Sequence, residues 1–177
     1  MKTKFIILLF LVPIFINSCR KCINASDCEN VDDFVSQIKE GVYDDYEVGE
    51  NGEKLWLKMP EFEVDDIDKL LKYATDTSKI NQYPINPISS RTPYPNGRNY
   101  FVLAECILWT IEGIRNGNRY GSLDPYLVDI SINTIDKGIS NKRIIEVGII
   151  YKNWFYSTNQ ADLKNQNPLD KSTFRWH

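Results

Sequence analysis

The sequence predicts an α+β domain, predominantly α-helical, with a central buried helix at about 99–115, two or three further helices and a small β-hairpin. Three observations predict it. Apolar residues recur at helical spacing in separate stretches, two short runs flank a glycine-containing turn, and one stretch is apolar almost all round.

The first helix is expected over 31–40, where Val31, Phe34, Val35 and Ile38 fall at i, i+3, i+4 and i+7, with Asn30 as cap and Gly41 as stop. Tyr43–Val48 and Lys54–Met59 then read as a hairpin. Leu55, Leu57 and Met59 alternate with Lys54, Trp56 and Lys58, and Gly49-Glu50-Asn51-Gly52 makes the turn. A second helix is expected from about Asp65 to Ala74. Its apolar stripe is Ile67, Leu70, Leu71 and Ala74, and Asp65, Asp66 and Asp68 suit its positive end.

From Asn81 to Asn96 the prolines Pro84, Pro87, Pro93 and Pro95 impose irregular backbone. This stretch reads as a loop packed over the domain rather than as an SH3-type ligand. Asn99–Arg115 is the strongest helix, apolar round nearly its whole circumference through Val102, Leu103, Cys106, Ile107, Leu108, Ile111 and Ile114. Such a helix is buried and central, and its two carboxylates with Arg115 argue against a membrane span. Residues 142–155 fit a helix through Ile144, Val147, Tyr151 and Trp154 or Phe155, while the β-branched residues round Gly148 fit a strand. The helix is the preferred expectation. The polar tail closes with Phe174 and Trp176, expected to pack back on the domain.

The leader has its own logic. Lys2 and Lys4 precede an apolar run, Phe5 to Ile16, broken only by Pro13. The run is shorter than the roughly 20 apolar residues of a membrane span, so it reads as a secretory signal. Ile16-Asn17-Ser18-Cys19 resembles the bacterial lipobox, whose pattern favours Leu in the first position and a small residue in the second. The resemblance implies cleavage before Cys19, diacylglycerol on its thiol and acylation of its freed amino group. Two or more chains anchor stably where one does not. The expected organisation is a signal peptide over 1–18, a polar tether over 19–29 and one globular domain over 30–177. The expected address is the cell envelope, lipid-anchored, with the outer membrane favoured and the face left open. Arg20 and Lys21 come first after the cysteine, and Asp27, Glu29, Asp32 and Asp33 come later.

Composition removes several functions. Without Lys2 and Lys4, 19 basic residues face 24 acidic ones, a net charge of about −5. No basic stripe is interleaved with aromatics, so nucleic acid is not an expected partner. The one histidine, His177, is the last residue, which disfavours His-dependent triads and His-rich metal sites. No phosphate-loop, dinucleotide or nucleophile-elbow string occurs, and no cofactor or metal is expected. Cys22 and Cys28 either close a small disulfide loop in an oxidising compartment or stay reduced, and Cys106 reads as a buried hydrophobe.

One constellation could carry chemistry. Glu105 and Glu112 lie seven residues apart on the central helix, with Phe101 and Trp109 beside them and Arg115 one turn on. Buried carboxylates have raised pKa values and make general acids, and flanking aromatics suit a sugar. The Cα spacing of roughly 10 Å, however, exceeds the ~5 Å carboxylate separation of retaining glycosidases. The structural alternative, favoured here, pairs Glu112 with Arg115 and Glu105 with Arg91, Arg98 or a backbone amide of the proline-rich loop. Trp56 is expected in the core rather than as a stacking platform. Tyr43, Tyr46, Tyr83, Tyr94, Tyr100, Tyr120 and Tyr126 fit either a binding surface or ordinary packing.

Three strings, Tyr83-Pro-Ile-Asn-Pro-Ile-Ser-Ser90, Leu103-Ala-Glu-Cys-Ile-Leu-Trp-Thr-Ile-Glu-Gly-Ile-Arg115 and Asn167-Pro-Leu with Phe174-Arg-Trp176, resemble an uncharacterised family of small lipoproteins from Bacteroidetes-type bacteria. The resemblance covers most of the mature chain and implies the envelope address and the single domain, with no mechanism. The expected function is a non-enzymatic, membrane-tethered binding or accessory domain. It would meet an envelope protein or glycan through the proline-rich loop and neighbouring aromatics. The alternatives are a glycan hydrolase using Glu105 and Glu112, and an inhibitor or immunity lipoprotein.

Overall fold

A computed structural model describes residues 30–132 and 137–177. Helix α1, Val31–Glu40, starts where Asn30 accepts a bond from the Asp32 amide at 3.1 Å and stops at Gly41, whose φ of 71° few other residues tolerate. Its four periodic apolar side chains are fully buried. Burying each contributes about 1.5–3 kcal/mol.

The hairpin forms with shorter strands than expected, β1 Tyr46–Val48 and β2 Lys54–Leu57, paired antiparallel with a bulge. Its burial runs along its length rather than between two faces. Met59 is buried and Leu57 half-buried at the base, while Leu55 and Trp56 are exposed towards the tip. Trp56 is therefore not the core residue expected, and among the described residues the hairpin strands pair only with each other.

The second helix opens as a tight turn of 3-10 type, Val64–Asp66, and continues as α2, Ile67–Leu71. The expected stripe of Ile67, Leu70, Leu71 and Ala74 is buried as a set. The irregular proline-rich loop follows and lies against the domain, with Tyr83, Pro84 and Pro95 buried.

The central helix begins four residues later than expected. Phe101 and Val102 form a two-residue strand, β4, antiparallel to β3, Lys79–Ile80. Helix α3 then runs Leu103–Asn116. The cause lies in the distant segment 76–78: the Leu103 and Ala104 amides donate to the Ser78 and Asp76 carbonyls at 3.0 and 2.8 Å. Those carbonyls satisfy helix-end donors that a capping side chain would otherwise serve. Every residue from Leu103 to Arg115 is buried.

Helix α4, Asn141–Ser157, follows β5, Leu127–Asp129, so the ambiguous stretch is helical. A second 3-10 segment, Gln160–Asn165, leads to β6, Phe174–Trp176, which pairs antiparallel with β5. The tail thus packs back as expected, but as a strand. The chain is α+β: α2, α3 and α4 pack on one another, and the described residues hold three two-stranded antiparallel sheets where one hairpin was expected.

Candidate functional site

The polar stripe of α3 resolves into two separate buried networks. At one end, Glu105 accepts from Arg98 Nη2 at 2.7 Å and from the Leu127 amide at 3.0 Å. The pairing with Arg98 is one of the expected choices. The amide comes from β5 rather than from the proline-rich loop. Burial pushes the Glu105 carboxyl above its ordinary pKa, and the Arg98 charge and the Leu127 amide offset part of that rise.

At the other end, Glu112 accepts from Arg115 through both carboxylate oxygens, at 3.0 and 2.5 Å. It also accepts from Asn116 at 3.2 Å and from the Tyr151 hydroxyl at 2.9 Å. Burial and then the Glu112 charge hold the Tyr151 phenol well above its usual range, so it serves as a donor here. Tyr151 in turn accepts from Trp176 Nε1 at 3.0 Å, which ties β6 and α4 to α3.

The flanking aromatics are equally committed. Trp109 is buried under residues 120–122, its Nε1 donating to Ser122 Oγ at 2.8 Å and its ring 5.6 Å from that of Tyr120. Phe101 is buried beside Tyr94. Neither offers a sugar an open face. Of the seven tyrosines read as a potential surface, Tyr43, Tyr83 and Tyr126 are buried, and Tyr46, Tyr94, Tyr100 and Tyr120 are half-buried. Of the aromatics at the proline-rich loop, Tyr83 lies in the core and Tyr94 packs half-buried against it.

His177 packs against the fold. Its Nδ1 lies 3.1 Å from Asp124 Oδ2, its ring stacks 4.5 Å from Tyr126, and Ser89 Oγ donates to Asp124 Oδ1 at 2.7 Å. The serine thus meets the carboxylate, whereas a nucleophilic triad places it on the imidazole. Cys106 is buried with its thiol pushed well above the ordinary range, first by burial. Among the described residues no group of three or more metal-ligating side chains comes together, and no helix is long and apolar enough to cross a membrane.

What faces outward is different. An open cleft of about 480 Å³ runs between the segment Met59–Asp65 and the C-terminal half of α3. Its lining includes the buried Met59, Thr110 and Ile114, the half-buried Phe62, the acidic Glu61, Glu63 and Asp65, and the basic Arg119 and Lys164. Arg119 reaches Glu61 at 3.1 Å across the rim. The hairpin rises from one end of this cleft, since β2 runs directly into Met59. Comparison with known proteins bears on the whole of this surface: a family model described as a domain of unknown function, DUF4943, matches residues 25–177.

The chain belongs to the DUF4943 family. No curated protein and no solved structure matches it. The DUF4943 match takes in the cleft, the hairpin and both buried networks. Cys19 and Cys22 precede the match, and Cys28 falls within it. All three cysteines, with the signal and tether expected round them, lie outside the described residues. The cleft and hairpin were not read as a site from the sequence, although one signal was present. Between Asp44 and Asp68 the DUF4943 domain carries ten carboxylates against two lysines.

Proposed function

We propose that the chain is a lipid-anchored protein of the bacterial envelope, of the kind found in Bacteroidetes-type bacteria. Its domain binds a partner rather than performing catalysis. The leader and Cys19 support the anchor, on the outer membrane in this reading. The observation that carries the binding role is that Glu105 and Glu112 are both spent on buried arginine pairs. The chemistry-bearing feature of the sequence therefore serves the fold, and the outward-facing cleft and hairpin are left to meet another molecule.

In-cell cross-linking and recovery of the tagged chain, with Cys19→Ala as control, tests this. The native form should fractionate with membranes and recover one specific partner, and Cys19→Ala should lose both. A native form found in the soluble fraction overturns the anchor. Cleavage of an envelope glycan that Glu105→Gln or Glu112→Gln abolishes, with folding intact, overturns the binding role in favour of hydrolysis.

A further inference from the structure

We propose that the β1–β2 hairpin is a docking arm for an extended, lysine- or arginine-rich segment of a partner protein, which adds to the hairpin as a further strand. This deepens the binding role proposed above and rests on it.

Three observations converge on the arm. Neither hairpin strand has another strand partner among the described residues, so the outer edges keep backbone donors and acceptors available. Apolar side chains stand on it in water: Val48 is 60% exposed, Leu55 44% and Trp56 37%. Such side chains normally find cover when a surface has a partner. Finally, the arm is strongly acidic. Asp44, Asp45, Glu47, Glu50 and Glu53 all reach solvent, and among the described residues none of the five is ion-paired. Of the two nearby lysines, Lys54 lies over the Tyr46 ring at 4.4 Å.

Charge complementarity sets the occupant. Lysine or arginine side chains would answer the carboxylates, and backbone amides and carbonyls would answer the open edge. Aliphatic side chains on one face would cover Leu55, and the apolar stems of the cationic side chains on the other would lie along Trp56. A glycan could stack on Trp56 but offers neither cations nor a strand ladder. Strand addition also explains why the apolar residues sit on an edge rather than in a closed pocket.

The probe is an acetylated, amidated hexapeptide of alternating lysine and valine, titrated into the isotopically labelled full chain in solution. Two controls accompany it: a glutamate–valine hexapeptide, and a lysine–proline hexapeptide of equal positive charge, whose prolines lack N–H groups and hold φ at about −65°, away from an extended ladder. The lysine–valine peptide should shift amides within 46–57, and neither control should. Leu55→Ser with Trp56→Ser should weaken binding at least about tenfold, as should Glu47→Lys with Glu50→Lys. These residues are exposed or half-buried, so unchanged thermal melting checks that folding is intact. The charge-reversed pair should also acquire the glutamate–valine peptide.

Absence of shifts, shifts confined to other elements, or equal response to the lysine–proline peptide would each overturn the proposal. So would self-association of the free chain that Leu55→Ser with Trp56→Ser abolishes, since the occupant would then be a second copy. The assay involves no membrane. Its failure leaves the anchor and the cellular partner standing, whereas failure of the cellular experiment leaves the peptide result intact.

Discussion

Gly148 lies so close to Ala74 that a β-carbon on it would sit 2.1 Å from the Ala74 carbonyl oxygen. The contact joins the middle of α4 to the end of the turn that follows α2, and a backbone atom cannot yield as a flexible side chain can. Gly148→Ala should therefore destabilise the domain by about 3 kcal/mol, the upper part of the overpacking range. Ala otherwise favours a helix over Gly by about 1 kcal/mol, so a neutral or stabilised variant in chemical denaturation would show that α4 does not seat there.

Glu112 should behave as the hub of a buried network. Glu112→Gln leaves Arg115 without its charge partner and should cost about 3–5 kcal/mol. Tyr151→Phe should cost about 1–2 kcal/mol. A double-mutant cycle between the two, read by urea denaturation, should give a coupling of about 0.5–3 kcal/mol. Additive effects would place the two groups in separate environments.

Glu105 carries a pH signature of the opposite sign from most carboxylates. Its folded pKa is raised, so the folded state favours the protonated form. Its ionisation costs stability increasingly as pH rises from the ordinary value of about 4.3 through the raised one. Stability measured across that window should decline less steeply in Glu105→Gln than in the native chain. The substitution should itself lower stability by about 3 kcal/mol through the stranded Arg98. An unchanged pH profile would show that Glu105 is not in the buried setting described.

Asp129 should act in the usual direction. Hydrogen bonds from Ser131 and Thr173 hold its carboxyl well below the ordinary range, against the effect of burial, and Arg143 pairs with it. A depressed folded pKa contributes stability above the unfolded value of about 3.9, and that contribution is lost as pH falls through the folded value. Asp129→Asn should lose about 1–3 kcal/mol at neutral pH and show a shallower acid transition. Coincident acid curves for the two proteins would remove Asp129 from the account.

Removing Phe174 to His177 should cost far more than trimming a polar end. The deletion takes away β6 and its ladder with β5, the Trp176 bond to Tyr151 and the His177 contact with Asp124. Loss of the cooperative thermal transition is expected. A truncated chain that melts like the native one would mean the strand adds nothing.

The periodic elements were legible because their signal is local. Asn30, the stripe from Val31 to Ile38, and Gly41 define α1 without reference to the rest of the chain. The stripe of α2 and the all-round apolar surface of α3 could be read the same way. Beyond the hairpin, the strands were not legible, since β3, β4, β5 and β6 are two or three residues long and gain their partners from segments far along the chain. The start of α3 was misplaced for the same reason: its cap is a pair of carbonyls from residues 76–78.

For the site, local spacing placed Glu112 within reach of Arg115, because three residues on a helix is one turn. Placing Arg98 and the Leu127 amide at Glu105 required the packed fold, as did turning Tyr83 and Tyr94 inward and leaving Trp56 outside. The sequence by itself determined α1, the apolar stripe of α2 and the burial of α3, since amphipathic period and capping act within a turn or two. Only the tertiary structure decided where buried charge is neutralised and which surface stays open. Those outcomes follow from which distant segments meet, and desolvation then leaves a buried carboxylate no alternative to the partner it finds.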